Sequence, residues 1–135
     1  MATMTIKYKS GIVPPLEAII DLYDSADLER PLADKDRIGK MYANSNLIIS
    51  AWHEEKLVGI SRCLTDFSYC CYISDLAVRK EYKCAGVGKK LIQLTKEVVG
   101  DDSNLLLLSA PAAMEYYPKV GFEKVENGFI IKRAK

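Results

Sequence analysis

The residues best suited to chemistry lie where an apolar strand leads into a glycine-punctuated turn and then a helix. Residues 75–78 end the strand, and Gly86 and Gly88 mark the turn before the helical segment. N–H groups at a helix start have no intrahelical partner, and the helix dipole adds partial positive charge there. Glycine also lets a ligand approach the backbone closely. The segment therefore predicts a phosphate or pyrophosphate site, with Lys83 and Lys89 adding positive charge.

Two common phosphate-binding motifs do not fit this spacing. A P-loop needs a glycine five residues before its Gly-Lys pair and a Ser or Thr after the lysine, but Lys83 and Lys90 occupy these positions. A dinucleotide-binding fingerprint needs a third glycine three residues after the second, and that position is Leu91. The spacing therefore points to another class of phosphate ligand.

Two segments resemble signature motifs of the GNAT superfamily of acyl-CoA-dependent N-acyltransferases. Motif A of that family reads Arg or Gln, two residues, Gly, one residue, Gly or Ala; here Lys83 stands at its first position. Residues 109–122 look like the family signature Ala-x-x-aromatic-Tyr-x-x-x-Gly-Phe, with Ala110 where the family often has Asn. The matching positions are Ala113, Tyr116, Tyr117, Gly121 and Phe122. Residues 30–78 also resemble a bacterial and plastid branch of small GNAT enzymes.

The resemblance implies acetyl-CoA as the co-substrate, with its pyrophosphate on the glycine turn and its pantetheine arm along the central strand. The residues that would bind it are Leu76, Ala77, Val78, Lys83, Cys84, Ala85, Gly86, Val87, Gly88, Lys89 and Ala113. Tyr117 matches the family tyrosine beside the CoA sulfur and is expected to be the general acid. A phenol with a pKa of about 10 keeps its proton at neutral pH and can give it to a leaving thiolate.

The residue that removes the proton from the acceptor amine is left open by the sequence. Asp75, Ser74 and Tyr72 on the central strand and Asp66 on the preceding turn are candidates. Strand alternation places Tyr72 and Ser74 on one face and Asp75 on the other. A water chain is also possible, because freeing a lysine-like amine at pH 7.4 costs roughly 4 kcal/mol.

Composition excludes several classes of protein. The 135 residues suit one domain, 1–135, and 49% apolar and 27% charged residues are typical of a globular protein. A net charge of +1 argues against a nucleic-acid partner, and no apolar run approaches the roughly 20 residues of a membrane span. The four cysteines lack the C-x-x-C spacing, and His53 is remote from them, so no metal site is expected. Reduced thiols indicate a cytoplasmic protein.

Hydrophobic periodicity predicts an α/β protein whose sheet is mixed. The predicted strands cover 5–9, 47–52, 57–64, 68–78 and 105–108, and the helices start at Pro14-Pro15 and cover 34–43, 86–99 and 111–117. Four consecutive leucines, 105–108, predict a strand buried on both faces, and Pro118 predicts a helix end at Tyr117. Asn127-Gly128 predicts a closing hairpin of 122–125 and 129–132. This order is also that of the GNAT fold, a mostly antiparallel sheet flanked by helices.

Together these features predict an acetyl-CoA-dependent N-acetyltransferase that acts by direct attack of an amine in a ternary complex. By the resemblance, the first two helices and the Arg30-Pro31 corner line the acceptor side. Small amines, amino acids, aminoglycoside-like molecules and protein amino groups all remain possible acceptors. The alternative is a non-catalytic acyl-CoA-binding sensor or interaction module. The edge strand of the closing hairpin favours a homodimer.

Overall fold

The computed structural model of the chain describes residues 5–135. Within this part, five strands form one sheet in sequence order: β1 (Ile6–Ser10), β2 (Leu47–His53), β3 (Lys56–Thr65), β4 (Cys70–Val78) and β5 (Asn104–Leu107). The first four strands pair antiparallel with their neighbours, and β5 pairs parallel with β4. The helices are α1 (Leu16–Ser25), α2 (Lys35–Ala43), α3 (Val87–Val99) and α4 (Tyr116–Lys119), with 3₁₀ turns at Lys80–Ala85 and Pro111–Ala113. The predicted mixed, mostly antiparallel sheet with flanking helices is confirmed.

Helices cover both faces of the sheet. On one face, α1 and α2 bury Ile19 and Ile38 against Ile60 of β3. On the other face, α3 packs Val87 against the sheet, and the glycine at position 59 permits the close approach. A Cβ on Gly59 would lie 2.8 Å from Cγ1 of Val87. The apolar helix faces that periodicity indicates in the sequence therefore form two cores, one on each side of the sheet.

The leucine-rich strand is less buried than its sequence predicts. Leu105 and Leu107 pack against the core under α3, whereas Leu106 is 48% exposed and Leu108 is 64% exposed. The prediction of burial on both faces is therefore wrong. The physical reason is that β5 is the last strand of the sheet and only its α3-facing side is covered.

The C-terminal quarter also departs from expectation. The predicted helix 111–117 is split into a 3₁₀ turn and α4, and Pro118 lies inside α4 because the first helical turn requires no N–H donor. The predicted closing hairpin is wrong: residues 122–135 contain no strand. Phe129 is 97% exposed and Ile131 is fully exposed. An isolated two-stranded hairpin without a packed face is only marginally stable. Among residues 5–135, no helix combines the length and apolar character that a membrane crossing requires.

Candidate active site

The start of α3 leaves main-chain donors without an acceptor in the helix. Gly86 caps the helix in the left-handed region, with φ of 76°, and no side chain caps the first turn. The first hydrogen bond of the helix runs from the Lys90 N–H to the Gly86 carbonyl, 3.1 Å. The N–H groups of Val87, Gly88 and Lys89 therefore precede the helical ladder and have no acceptor within it. This arrangement is suited to a pyrophosphate.

The charged corner before this helix forms a 3₁₀ turn, Lys80–Ala85. Lys83, Cys84 and Ala85 are all exposed on it. The turn places Lys83 directly before the start of α3. The predicted pyrophosphate-binding residues are therefore gathered at one surface. Their contact with a ligand remains a prediction.

Strand β4 separates from β5 at the middle of its length. The parallel pairing covers only Cys70 to Ile73, whereas β3 stays paired with β4 as far as Val78. The register between β3 and β4 shifts at the same point: Arg62 pairs with Asp75, and the next residue, Cys63, pairs with Ile73. Ser74 is thus an extra residue, a β-bulge. The second half of β4 has an open edge on the side where β5 has diverged.

The bulge also decides which main-chain groups are available on β4. The Arg79 N–H donates to the Val58 carbonyl, 2.8 Å, so Arg79 faces β3. Because main-chain groups alternate along an antiparallel strand, those of Ala77 also face β3, and those of Leu76 and Val78 face the open edge. Of the three residues predicted to pair with the pantetheine arm, Leu76 and Val78 have main-chain groups directed to the open edge. Ala77 contributes a side chain to the core under α1 and α2.

The two sequence motifs meet in the structure. A Cβ built on Gly88 would lie 2.7 Å from the Tyr116 hydroxyl and 3.6 Å from Cγ2 of Val78. The start of α3, the end of β4 and the start of α4 therefore converge at one place. Tyr116 was recognised in the sequence only as a position of the second motif, and this contact with Gly88 was not predicted.

Tyr117 lies next to that contact, in a small aromatic cluster. Its ring packs edge-on against Tyr116, with centroids 5.2 Å apart, and against Phe122, at 5.5 Å. Burial, and secondarily the neighbouring Tyr116, raises the pKa of Tyr117. The phenol therefore carries its proton at neutral pH, as a general acid must. Ala113 ends the preceding 3₁₀ turn, and its N–H donates to the Ala110 carbonyl, 2.9 Å, so this N–H is already engaged.

Asp75 is the centre of a buried ionic cluster that the sequence did not predict. One carboxylate oxygen accepts from Arg62 Nε, 2.6 Å, and from the Tyr23 hydroxyl, 2.7 Å; the other accepts from Arg30 Nε, 2.6 Å. Burial acts to raise the pKa of Asp75, but the hydrogen bond and charge of Arg62, with Tyr23 and Arg30, hold it below its usual value. The sequence does contain one signal of this cluster: Arg62 is a charged residue inside an apolar strand. A buried charge requires a partner of opposite charge.

The bulge changes which face of β4 each candidate general base lies on. Arg62 donates to the Ser74 hydroxyl, 2.8 Å, as well as to Asp75, so Ser74 and Asp75 lie at the same guanidinium and not on opposite faces. The Asp75 carboxylate is fully occupied as an acceptor. Asp66 accepts main-chain hydrogen bonds from residues 68, 69 and 70, and these bonds lower its pKa to about 2. Neither carboxylate is suited to take a proton at neutral pH.

His53 has a partner that its sequence context did not indicate. Its Nδ1 lies 2.7 Å from the Tyr82 hydroxyl, and the two rings are T-shaped, with centroids 5.6 Å apart. The contact ties the β2–β3 turn to the 3₁₀ turn that precedes α3. It therefore links the corner before α3 to the end of β2.

The described residues fit acetyl-CoA on two independent grounds. The donors at the start of α3 match a pyrophosphate, and the open edge at Leu76 and Val78 matches the amides of a pantetheine arm. Both features lie on the same side of the molecule as Tyr116, so one extended ligand can reach all three.

Comparison with known proteins bears directly on this site. The family described as "Acetyltransferase (GNAT) domain" matches residues 26–132. GCN5-related N-acetyltransferase 2, chloroplastic, of Arabidopsis thaliana is 31% identical over 77 residues, which are 56% of this chain and 30% of that protein. The uncharacterized N-acetyltransferase ycf52 of Pyropia yezoensis is 31% identical over 91 residues, 63% of this chain and 52% of that protein. The chain thus spans about a third to a half of these relatives.

Solved structures share the fold over the full length of the chain. A probable acetyltransferase from meticillin-resistant Staphylococcus aureus superposes with a TM-score of 0.81 at 22% identity, covering 96% of this chain and all of the other. The aminoglycoside N-acetyltransferase AAC(6')-Iy in complex with CoA superposes with a TM-score of 0.73 at 15% identity, covering 99% and 98%. At these identities the likeness concerns the fold. Because the family match spans most of the chain, the resemblance drawn from the two motifs is confirmed: this protein belongs to the GNAT acetyltransferases.

Proposed function

We propose that this chain transfers the acetyl group of acetyl-CoA to a primary amine, by direct attack of the amine in a ternary complex. The observation that carries the proposal is the convergence of three features: the free N–H groups at the start of α3, the open edge of β4, and the contact between Gly88 and Tyr116. Each feature comes from a different part of the chain. Their meeting at one surface supports a site for one extended ligand with a reactive end.

The reaction needs few groups from the protein. The neutral amine attacks the thioester carbonyl carbon, a C–N bond forms, and the C–S bond breaks with its electron pair leaving on sulfur. An N–H of β4, from Leu76 or Val78, donates to the oxyanion and stabilises it. Tyr117 gives its proton to the thiolate, and the proton lost by the amine returns to the tyrosine through water. The products are the acetamide and CoA thiol.

The proton transfers agree with the state of the titratable groups. Tyr117 keeps its proton because burial raises its pKa. The two candidate carboxylates, Asp66 and Asp75, stay ionised and hydrogen-bonded, so we propose water as the first acceptor of the amine proton. Releasing a proton from an amine of pKa about 10.4 at pH 7.4 costs roughly 4 kcal/mol, which an ordinary enzymatic barrier accommodates.

The acceptor class is a small-molecule amine or a protein amino group. The meta-AAC0020 aminoglycoside acetyltransferase from a soil metagenome, in complex with sisomicin, has a fold similar to this chain, with a TM-score of 0.65. Aminoglycoside-like amines therefore belong among the compounds to test. We also propose a cytoplasmic location and a homodimer. The four cysteines, all within the part of the chain that the structure describes, are free thiols, as a reducing compartment requires.

The test is release of CoA thiol in the presence of an amine. Purified protein and acetyl-CoA are incubated with 2-phenylethylamine, spermidine, L-lysine, neamine or a peptide with a free N-terminus, and thiol is measured with a colorimetric disulfide reagent. We expect at least one amine to raise thiol release well above the rate without amine, with a matching acetylated product by mass spectrometry.

A binding measurement separates an enzyme from a binding module. Acetyl-CoA at about a hundred times its dissociation constant adds roughly 2.7 kcal/mol of stability and should raise Tm by several degrees. A Tm rise without thiol release for any amine would identify a non-catalytic acyl-CoA-binding module. If acetyl-CoA causes no Tm rise and no thiol is released, the acetyl-CoA site itself is rejected.

A further inference from the structure

The connection between α1 and α2, residues 26–34, has no regular secondary structure and lies over the α1/α2 side of the sheet. Its local hydrogen bonds include Leu28 N–H to the Tyr23 carbonyl, 3.1 Å, and Leu32 N–H to the Arg30 carbonyl, 2.8 Å. Such bonds shape the turn but do not attach it to the sheet. Leu28 and Leu32 pack against the core between α1, α2 and the sheet, and the side chain of Arg30 supplies the polar attachment to β4.

Arg30 reaches the β-bulge of β4 with two different bonds. Its Nε donates to the Asp75 carboxylate, 2.6 Å, and its Nη2 donates to the Ser74 carbonyl, 2.9 Å. Ser74 is the bulged residue and has no partner on β3. Its carbonyl is therefore satisfied by a side chain that comes from the α1–α2 connection, 44 residues earlier in the sequence.

The two arginines at Asp75 have different surroundings. Arg62 has a side chain only 7% exposed, and it also donates to the Ser45 and Ser74 hydroxyls. The Arg30 side chain is 27% exposed, so its guanidinium borders solvent at the bulge. Arg62 thus holds Asp75 within the core. Arg30 joins the core to the exposed connection at the point where β4 leaves β5.

We propose that Arg30 is a positioning residue: it fixes the α1–α2 connection against the bulge at Ser74 and so sets the shape of the acceptor side of the site. The part of this proposal that concerns the acceptor rests on the proposed function; the structural attachment does not. A guanidinium is required because it can bond Asp75 and the Ser74 carbonyl at once, whereas an ammonium group is a single point charge.

A matched control exists on α1, the helix that precedes the connection. Asp21 of α1 pairs with Arg79 at the end of β4, 2.8 Å, and does not reach the bulge. Arg30→Gln, Arg30→Lys and Asp21→Asn are therefore compared with the unmodified chain. Thermal melts first establish that each variant is folded. If Arg30→Gln does not fold, the experiments are carried out with Arg30→Lys, which keeps the positive charge beside Asp75.

Amide hydrogen exchange tests the attachment without any substrate. The probes are three amides of the connection: Leu28, which donates to the Tyr23 carbonyl of α1, and Leu32 and Asp34, which donate to carbonyls within the connection. We expect exchange of these amides to be at least ten-fold faster in Arg30→Gln, intermediate in Arg30→Lys and unchanged in Asp21→Asn. Unchanged exchange in the folded Arg30 variants, or equal acceleration in Asp21→Asn, would overturn the proposal.

Kinetics tests the consequence for the acceptor, with the amine from the panel that the unmodified chain acetylates best. We expect Arg30→Gln to raise the KM of that amine about ten-fold and leave the KM of acetyl-CoA within two-fold, with partial recovery in Arg30→Lys. An equal rise in both KM values would mean a general structural defect and would reject the positioning role. If the unmodified chain acetylates no amine, the proposed function fails while the exchange experiment still decides whether Arg30 holds the connection.

Discussion

The Tyr116 hydroxyl occupies the space that a side chain on Gly88 would fill, 2.7 Å from the position of its Cβ. Gly88 lies in the first turn of α3, and Tyr116 begins α4, so the contact joins the two motifs by which the family is recognised. The absence of a side chain on the glycine therefore leaves room for the tyrosine hydroxyl at the helix start.

Replacing Gly88 by alanine should weaken CoA binding. The added methyl group displaces the Tyr116 hydroxyl, which is at the end of a side chain that is 38% exposed and can move outward. We expect the chain to stay folded but to lose most of the Tm rise that acetyl-CoA produces. Differential scanning fluorimetry with and without acetyl-CoA measures this difference.

Gly39→Ala is the matched control for that experiment. Gly39 lies within α2, and a Cβ there would meet no atom within 4 Å. Alanine is favoured over glycine inside a helix by roughly 0.5–1 kcal/mol, so this variant should melt slightly higher and keep the full response to acetyl-CoA. A full response in Gly88→Ala as well would remove Gly88 from the binding site.

Local patterns in the sequence predicted most of the fold. The strand predicted at 47–52 is β2, Leu47–His53, and the helix predicted at 86–99 is α3, Val87–Val99. Such elements are defined by periodic burial of their own residues and by glycine at their ends. The glycine turn of the site was found for the same reason, since its signal lies within a few consecutive residues.

Features that depend on distant residues were missed. The bulge at Ser74 arises from the register of two paired strands, and a one-residue shift is invisible to alternation within one strand. The ion pair of Arg30 with Asp75 joins residues 45 apart. The hairpin predicted around Asn127-Gly128 had the right turn residues. A turn signal cannot show whether the two strands have a face to pack against, and without one their pairing is not stable.

The buried Asp75 carboxylate should make stability fall in acid. Its pKa is lowered in the folded chain from an ordinary value of 3.8, so the folded state binds the proton less readily than the unfolded state. The stabilisation is therefore present above about pH 4 and is lost as the pH falls through the folded pKa. Urea unfolding between pH 6 and pH 2 should show this loss.

Asp75→Asn isolates that contribution. Removing one partner of a buried ion pair usually costs about 3–5 kcal/mol, so the variant should be much less stable at neutral pH and should lose less on acidification. Asp66 titrates in the same range, with a pKa of about 2, so both chains are compared in an Asp66→Asn background. An identical loss of unfolding free energy in the two chains would show that Asp75 does not carry the pH dependence.

The exposed sheet face beside the unpaired edge of β5 should be the contact surface of a dimer. β5 is the last strand of the sheet, and its Leu106 aligns with Tyr72 of β4 and so with Leu64 of β3, all three exposed. Exposed edges with apolar residues tend to be paired or covered. We expect light scattering at micromolar concentration to give about twice the mass of one chain.

A lysine in this strand should prevent that association. Leu106→Lys places a charge on the edge strand and should give the monomer mass, because lysine discourages edge pairing. Val98→Lys on α3, at a position that is 46% exposed, is the control and should remain dimeric. A monomer mass for the unmodified chain would reject the dimer.

Tyr117→Phe should slow the chemical step while leaving acetyl-CoA affinity nearly unchanged. The substitution removes only the hydroxyl and keeps the ring contacts with Tyr116 and Phe122. A positioned general acid contributes about 10²–10⁴-fold, so kcat should fall by that factor, and a fall in kcat without a change in binding indicates loss of a transition-state interaction. Tyr116→Phe, which removes the hydroxyl beside Gly88, should instead weaken acetyl-CoA binding with a smaller effect on kcat. If Tyr117→Phe retains more than about half of kcat when chemistry limits the rate, the hydroxyl is not the acid, and water protonates the thiolate.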